Sequence, residues 1–176
     1  MSNILEIFGE SLKRILETSA GEFIKRYRDI LPDFDFVHED DSVGYVFELM
    51  SRGKDYIIVI DSKGRLRGVI TYIDVLMHVG RKEHEILTTV LSSIVGSLKR
   101  SKIPTGVLSD LRISLLMRVL PPIIHENSKV IEALSAMERA DTHYVLVLTR
   151  DGAVLGVITA HSIFRAAMRR IHKLVT

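Results

Sequence analysis

The sequence predicts a mixed α/β fold (α+β) made of two β-α-β-β-α units, and three observations predict it. The first is a repeat: GVITYID at Gly68–Asp74 returns as GVITAHS at Gly156–Ser162. Internal repetition at this period marks one supersecondary unit used twice. The second is register. His38-Glu39 matches His125-Glu126, and Val43, Val46, Phe47 and Met50 match Val130, Ala133, Leu134 and Met137. After one extra residue in the second copy, Ile57–Ile60 matches Val145–Leu148, and Gly64, Gly68 and Thr71 match Gly152, Gly156 and Thr159. The third is a change of hydrophobic period inside each copy, from helical spacing to short branched strands.

The elements follow in order. A short extended piece opens each copy, Phe36-Val37 or Ile123-Ile124. An Asp/Asn/Ser cluster comes next and suits a helix cap. Apolar residues then fall at i, i+3, i+4 and i+7, one face of a helix. YIIVI and YVLVL are β-branched, buried strands. SKG and RDG are hairpin turns in which glycine takes positive φ. LRGVIT and VLGVIT form the second strand, and YIDVLMHV and AHSIFRAAMRRI the second helix. A unit of about 50 residues is marginal alone. Two copies burying their sheets against one another would explain the repetition.

Two helical additions flank the copies, giving expected boundaries of 1–27, 28–80 (first repeat), 81–113 (helical insert) and 114–176 (second repeat). Residues 3–27 carry Ile4, Leu5, Phe8, Leu12, Ile15 and Leu16 roughly on one stripe, an amphipathic helix that Gly21 is expected to interrupt. Residues 82–100 carry Ile86, Leu87, Val90, Leu91, Ile94, Val95 and Leu98 at helical spacing, opposite a small, uncharged face. That face suits a weakly polar surface or a close contact with another helix, in this chain or a second copy.

Composition bounds the function. The 176 residues are 47% apolar and 26% charged, with formal charge +2, too little to argue for nucleic acid. Cysteine is absent, so disulfides and thiolate chemistry are excluded. The longest uncharged stretch, Ile86–Leu98, is shorter than the about 20 apolar residues a bilayer span needs. The start, MSNILEIFGE, lacks a basic n-region, and the expected location is cytoplasmic. No P-loop, G-x-S-x-G or paired catalytic acids are present, so no enzyme activity is expected.

With VIDSKGRLRGVITYIDVL in this element order, the chain resembles a pair of cystathionine β-synthase (CBS) domains, a Bateman module. RDILPDFDFV and SLLMRVLPPII resemble the lead-in before each such repeat. The likeness covers about residues 28–80 and 114–170. It implies a regulatory module whose repeats pack about a pseudo-twofold axis and leave two clefts. The implied ligand is an adenosine compound: AMP, ADP, ATP or S-adenosylmethionine, with AMP favoured and no cofactor required. In the family, the Thr and Asp of the signature contact ribose and phosphate. Carried over, these are Thr71 and Asp74, with Val37, Tyr56 and Ile73 completing the ligand-binding set. His143 stands at the basic position before the strand of the second repeat, where the first repeat has Asp55. The resemblance therefore implies one complete site using Thr71, Asp74 and His143. A second, weaker cleft would hold Thr159, Ser162, His161 and Ile124, with Ser162 in place of the acid. It further implies a homodimer and an unidentified protein effector; from the residues themselves no membrane is expected, and nucleic acid is the disfavoured alternative.

The same residues have plainer readings. Thr71 is a suitable N-cap with Asp74 an acid near the positive end of the helix, and capping and ligand binding can coexist. Gly68 and Gly156 suit close packing alone. His38 and His125 hold equivalent positions, but no H-x-x-x-H or H-E-x-x-H pattern is present and no metal is expected. Arg165, Arg169 and His172 share a face of the last helix, usually a solvated face. Its extreme alternative is nucleic acid. Lys99, Arg100 and Lys102 form a smaller basic cluster.

Overall fold

The computed structural model describes residues 4–77 and 112–175, the side chains of residues 170 and 172–175 excepted. The expected 82–100 helix, the Lys99, Arg100 and Lys102 cluster, and the His172 side chain lie outside the described residues. The chain forms two compact units: residues 1–32 with 121–176, and residues 33–120. These do not coincide with the repeat boundaries. The segment before each repeat joins the unit of the other repeat.

The amphipathic stripe forms α1 (Ile4–Glu17). Ile15 is buried and Phe8, Leu12 and Leu16 pack against the same core, while Ile4 and Leu5 remain exposed. The break falls earlier than Gly21. Thr18 Oγ1 donates to the Arg14 carbonyl (3.0 Å), and extended Ser19 caps α2 (Ala20–Arg26) by accepting the Glu22 N–H (3.2 Å). Side-chain capping supplies what a glycine would otherwise do. Gly21 instead lies inside α2. Its N–H donates to the Glu126 carbonyl (2.8 Å), and a Cβ there would stand 3.2 Å from that oxygen.

The first-repeat unit holds β1 (Phe34–His38), α3 (Val43–Ser51), β2 (Tyr56–Ile60), β3 (Leu66–Thr71), α4 (residues 72–77), α5 (Ile113–Leu116) and β4 (Arg118–Val119). The strands form one sheet in order β1-β2-β3-β4, with β1 and β2 parallel and the other pairs antiparallel. Ser42 caps α3 by accepting the Tyr45 N–H (3.2 Å), as the polar cluster predicts. Gly64 turns the β2–β3 hairpin at φ 74°. Val37, Ile57, Val59 and Ile70 share one sheet face and pack with Val46 and Leu49 of α3. By strand alternation, Phe34, Phe36, Tyr56, Ile58, Val69 and Thr71 lie on the other face. At Gly68 a Cβ would stand 2.7 Å from the Arg118 carbonyl oxygen of β4.

The second-repeat unit adds β5 (Ile123–His125), α6 (Val130–Arg139), β6 (Tyr144–Leu148), β7 (Val154–Thr159) and α7 (Ala160–Val175) to α1 and α2. Its sheet runs β5-β6-β7, again parallel then antiparallel. Here the polar cluster does not cap the helix. Lys129 occupies the N-cap, and Glu132 reaches back to accept its N–H (2.8 Å). Lys129 Nζ also pairs with Glu17 of α1 (2.5 Å). Phe8 of α1 meets Phe164 of α7 with ring centroids 5.7 Å apart. Ile24 of α2 fills the space over Gly156, 3.0 Å from where a Cβ would stand. Arg169 on α7 pairs with Asp29 and lies over the Tyr27 ring, 5.7 Å from its centroid. One of the helix's basic residues is therefore committed inside the unit.

Candidate functional site

Both units end β3 or β7 in the signature threonine, and a helix starts at the next residue. The free N–H groups of a helix start need partners. In the first-repeat unit, Asp74 supplies one. Its Oδ2 accepts from the Thr71 N–H (2.9 Å) and from Thr71 Oγ1 (2.6 Å), while the Asp74 N–H approaches Thr71 Oγ1 at 3.4 Å. This is a capping box with an acid at its third position. Thr71 is buried, and its only hydroxyl hydrogen goes to Asp74. Thr71 therefore fixes the carboxylate. Asp74 is only partly buried, and its Oδ1 has no hydrogen-bond partner among the described residues. A carboxylate pinned by one oxygen and open at the other can accept hydrogen bonds from a diol without first ordering itself.

Sheet register brings further residues to this end of the unit. Phe34 of β1, Tyr56 of β2 and Thr71 of β3 form one cross-strand row. Asp55 and Tyr56 both donate backbone N–H groups to the Asp33 carbonyl (2.9 and 3.2 Å). Ile73 is exposed on the first turn of α4. The sequence assigns Val37 to the ligand, and the strand's alternation overturns that. Val37 is 1% exposed on the core face, whereas Phe36, on the same face as Tyr56 and Thr71, is 39% exposed. Phe36 stacks edge-on with Phe34, centroids 5.7 Å apart. Ile124 fails in the same way: it is buried in the core of the second-repeat unit, and exposed Ile123 is its neighbour on the other face. The F-x-F spacing of Phe34 and Phe36 was the available signal, since period two puts both on one face.

In the second-repeat unit the corresponding box is closed. The Thr159 N–H donates to Ser162 Oγ (3.0 Å), the Ser162 N–H donates to Thr159 Oγ1 (3.0 Å), and Ser162 Oγ donates to the Thr159 carbonyl (2.8 Å). Ser162 is 1% exposed, with its hydroxyl hydrogen spent. Tyr144 pairs with Thr159 across the sheet. His143 and His161 are exposed, and the His143 carbonyl accepts the Ala160 N–H (3.0 Å). His143 thus stands beside the start of α7 within its own unit.

Elsewhere, His38 and His125 are both exposed, and the His38 N–H is held by Asp41 Oδ2 (2.7 Å). No described helix is long and apolar enough to cross a membrane.

Comparison with known proteins bears on this geometry. A family model described as the CBS domain matches residues 26–81 and 109–169. No curated protein matches. Among solved structures, CBSX2 in complex with AMP is 20% identical, with a TM-score of 0.56 over 87% of this chain and 98% of that one. The CBS domain of a CBS domain containing membrane protein from Sphaerobacter thermophilus is 20% identical, with a TM-score of 0.61 over 89% and 92%. An uncharacterized conserved protein from Pyrococcus horikoshii is 18% identical, with a TM-score of 0.58 over 88% and 96%. These likenesses show the fold, a tandem pair of CBS repeats.

Proposed function

The chain belongs to the CBS-domain family, its two repeats both matched by the family model, and from that premise we propose that it is a non-catalytic regulatory module for an adenosine-containing ligand, AMP in the first instance. The observation that carries the reading is the Asp74 carboxylate, fixed through Oδ2 by Thr71, with Oδ1 unpaired among the described residues. Its chemistry suits a ribose diol. Exposed Phe36 and Ile73 offer apolar surface for the base. The AMP carried by CBSX2, a protein of the same fold, supports the ligand class. His143 is proposed as the basic contact to phosphate, and the Ser162 repeat as the weaker binder. Ligand shifts the population of module conformations, and a protein effector or a second copy in a cytoplasmic homodimer reads that shift.

A second reading has its own observation. The Thr71–Asp74 box caps α4 whether or not a ligand exists, which would suffice for a scaffold. Calorimetric titration of the chain with AMP, ADP, ATP and S-adenosylmethionine separates the two. The sensor reading expects saturable binding to one of the four. Asp74→Ala should weaken it about a hundredfold, the loss of two charge-assisted hydrogen bonds. His143→Ala should weaken the phosphorylated ligands more than S-adenosylmethionine. Absence of binding by all four leaves the box as a cap.

A further inference from the structure

Helix α4 presents its apolar residues outward. Tyr72, Ile73, Leu76 and Met77 are 45–64% exposed, and Val75 alone of the helix is buried. A helix face turned to water normally carries polar and charged residues, and a contiguous apolar one marks a contact.

The second repeat shows the contrast. With Thr71 set on Thr159, these four positions fall on Ala160, His161, Phe164 and Arg165 of α7. Three of those residues are small or polar and suit water. The fourth, Phe164, is met by Phe8 of α1, ring centroids 5.7 Å apart. At the equivalent surface, therefore, the chain itself sets a second helix against the one large apolar residue. That junction leaves a strip of its own within the second-repeat unit. Ile4 lies one turn before Phe8 on α1, and Met168 one turn after Phe164 on α7. Ile4, Phe164 and Met168 are all exposed, and none is charged.

We propose that the chain pairs with a second copy of itself, the Tyr72–Leu76 row of α4 in each copy lying on the Ile4, Phe164 and Met168 strip of the other. Residues four apart form a ridge, and a ridge packs into the groove between neighbouring helices. Met77, on the adjoining row, widens the contact, and Ile73 is left to the proposed adenosine site. The two faces are unlike and both belong to one chain, so a twofold pair uses each of them twice and closes. Helix α1 precedes the residues that the family model matches, so half of this contact comes from what the chain adds to the family. The inference rests on the regulatory reading only in taking a second copy as a reader of the module.

Sedimentation velocity over a range of concentrations tests it on the whole chain, on Ile4→Glu and on Leu76→Lys. The parent is expected to dimerise. Each variant alone puts a charge into both contacts of the pair and should weaken association about a hundredfold, roughly tenfold per contact. An equimolar mixture of the two variants should dimerise again, because one contact then sets Glu against Lys and the other is unchanged. Both positions are exposed, so both variants should fold, which circular dichroism checks. A parent that stays monomeric overturns the proposal, as does a dimer that neither variant weakens. Weakening by Leu76→Lys with no recovery in the mixture also overturns it, because α4 would then meet something other than the α1–α7 strip. Calorimetry keeps the adenosine reading separate. Ile4→Glu should bind AMP as the parent does, and a pair that recovers on mixing while no adenosine compound binds would end that reading and uphold this one.

Discussion

The turns at Thr71–Asp74 and Thr159–Ser162 occupy the same place in their repeats and cap the following helix with the same ring of backbone and side chain. They differ in what remains. Ser162 spends its hydroxyl on the Thr159 N–H and carbonyl and is sealed at 1% exposure. Asp74 spends one oxygen and keeps the other at a partly exposed position. Serine therefore suffices for the cap. The second carboxylate oxygen exceeds what the fold needs, and that surplus is the reason the proposed ligand site is assigned to the first repeat.

Exchanging the two residues breaks the comparison most sharply. Ser162→Asp places a carboxylate in a sealed site and removes the donor to the Thr159 carbonyl. An unsatisfied buried polar group costs about 1–3 kcal/mol and a charged one more, so a loss of roughly 3 kcal/mol is expected in denaturant unfolding. Asp74→Ser should change stability by less than about 1 kcal/mol, because serine can close the same box. It should nevertheless lower adenosine-ligand affinity tenfold or more. Equal stability losses in the two variants would sink the idea that only one box is sealed.

The paired glycines sharpen the comparison next. Both lie under a segment contributed from outside their own repeat, but the neighbours differ in stiffness. A Cβ at Gly68 would stand 2.7 Å from the Arg118 carbonyl oxygen, a backbone atom paired into the sheet. A Cβ at Gly156 would meet the end of the Ile24 side chain at 3.0 Å, which can rotate away. Gly68→Ala should cost about 2 kcal/mol through overpacking, and Gly156→Ala about 1 kcal/mol or less. Thermal or denaturant unfolding of the two variants checks the order, and a reversed order would show that β4 yields more easily than α2.

Most of each repeat was legible because its elements announce themselves locally. The i, i+3, i+4 spacing of Val43, Val46, Phe47 and Met50 becomes α3, and Gly64 and Gly152 take positive φ as the turns require. The capping half of the T-x-x-D motif was legible too. The errors arose where the decision is not local. Phe36 and Val37 are both apolar, so composition could not say which faces the core; only the register with β2 does. The exchange of lead-in segments between units depends on contacts far apart in sequence, such as Ile24 on Gly156. The break at Ser19 escaped because a side-chain cap replaced the expected glycine.

The smallest expected effect contrasts the two hairpins, and it is confined to acid. In the first, Asp61 Oδ1 accepts the Lys63 and Arg65 N–H groups (both 2.9 Å), and Oδ2 accepts from Arg65 Nε (2.7 Å). The Arg65 side chain, with the backbone donors behind it, holds the Asp61 carboxyl down from 3.8 to about 2. In the second, neutral Thr149 stands in its place and accepts the Ala153 N–H (3.1 Å). A carboxyl depressed in the folded state stabilises fully above its unfolded value. The Asp61 contribution should therefore be constant above about pH 4 and fade as the pH falls toward 2. Arg65 is largely exposed, so the effect is modest and should shrink with salt. The stability difference between the parent and Asp61→Asn, followed from neutral pH into acid, should narrow over that window. Thr149→Val should show no such narrowing. A parent-minus-variant difference that stays flat through the window would mean that neither the Arg65 side chain nor the backbone donors hold the Asp61 carboxyl down in solution.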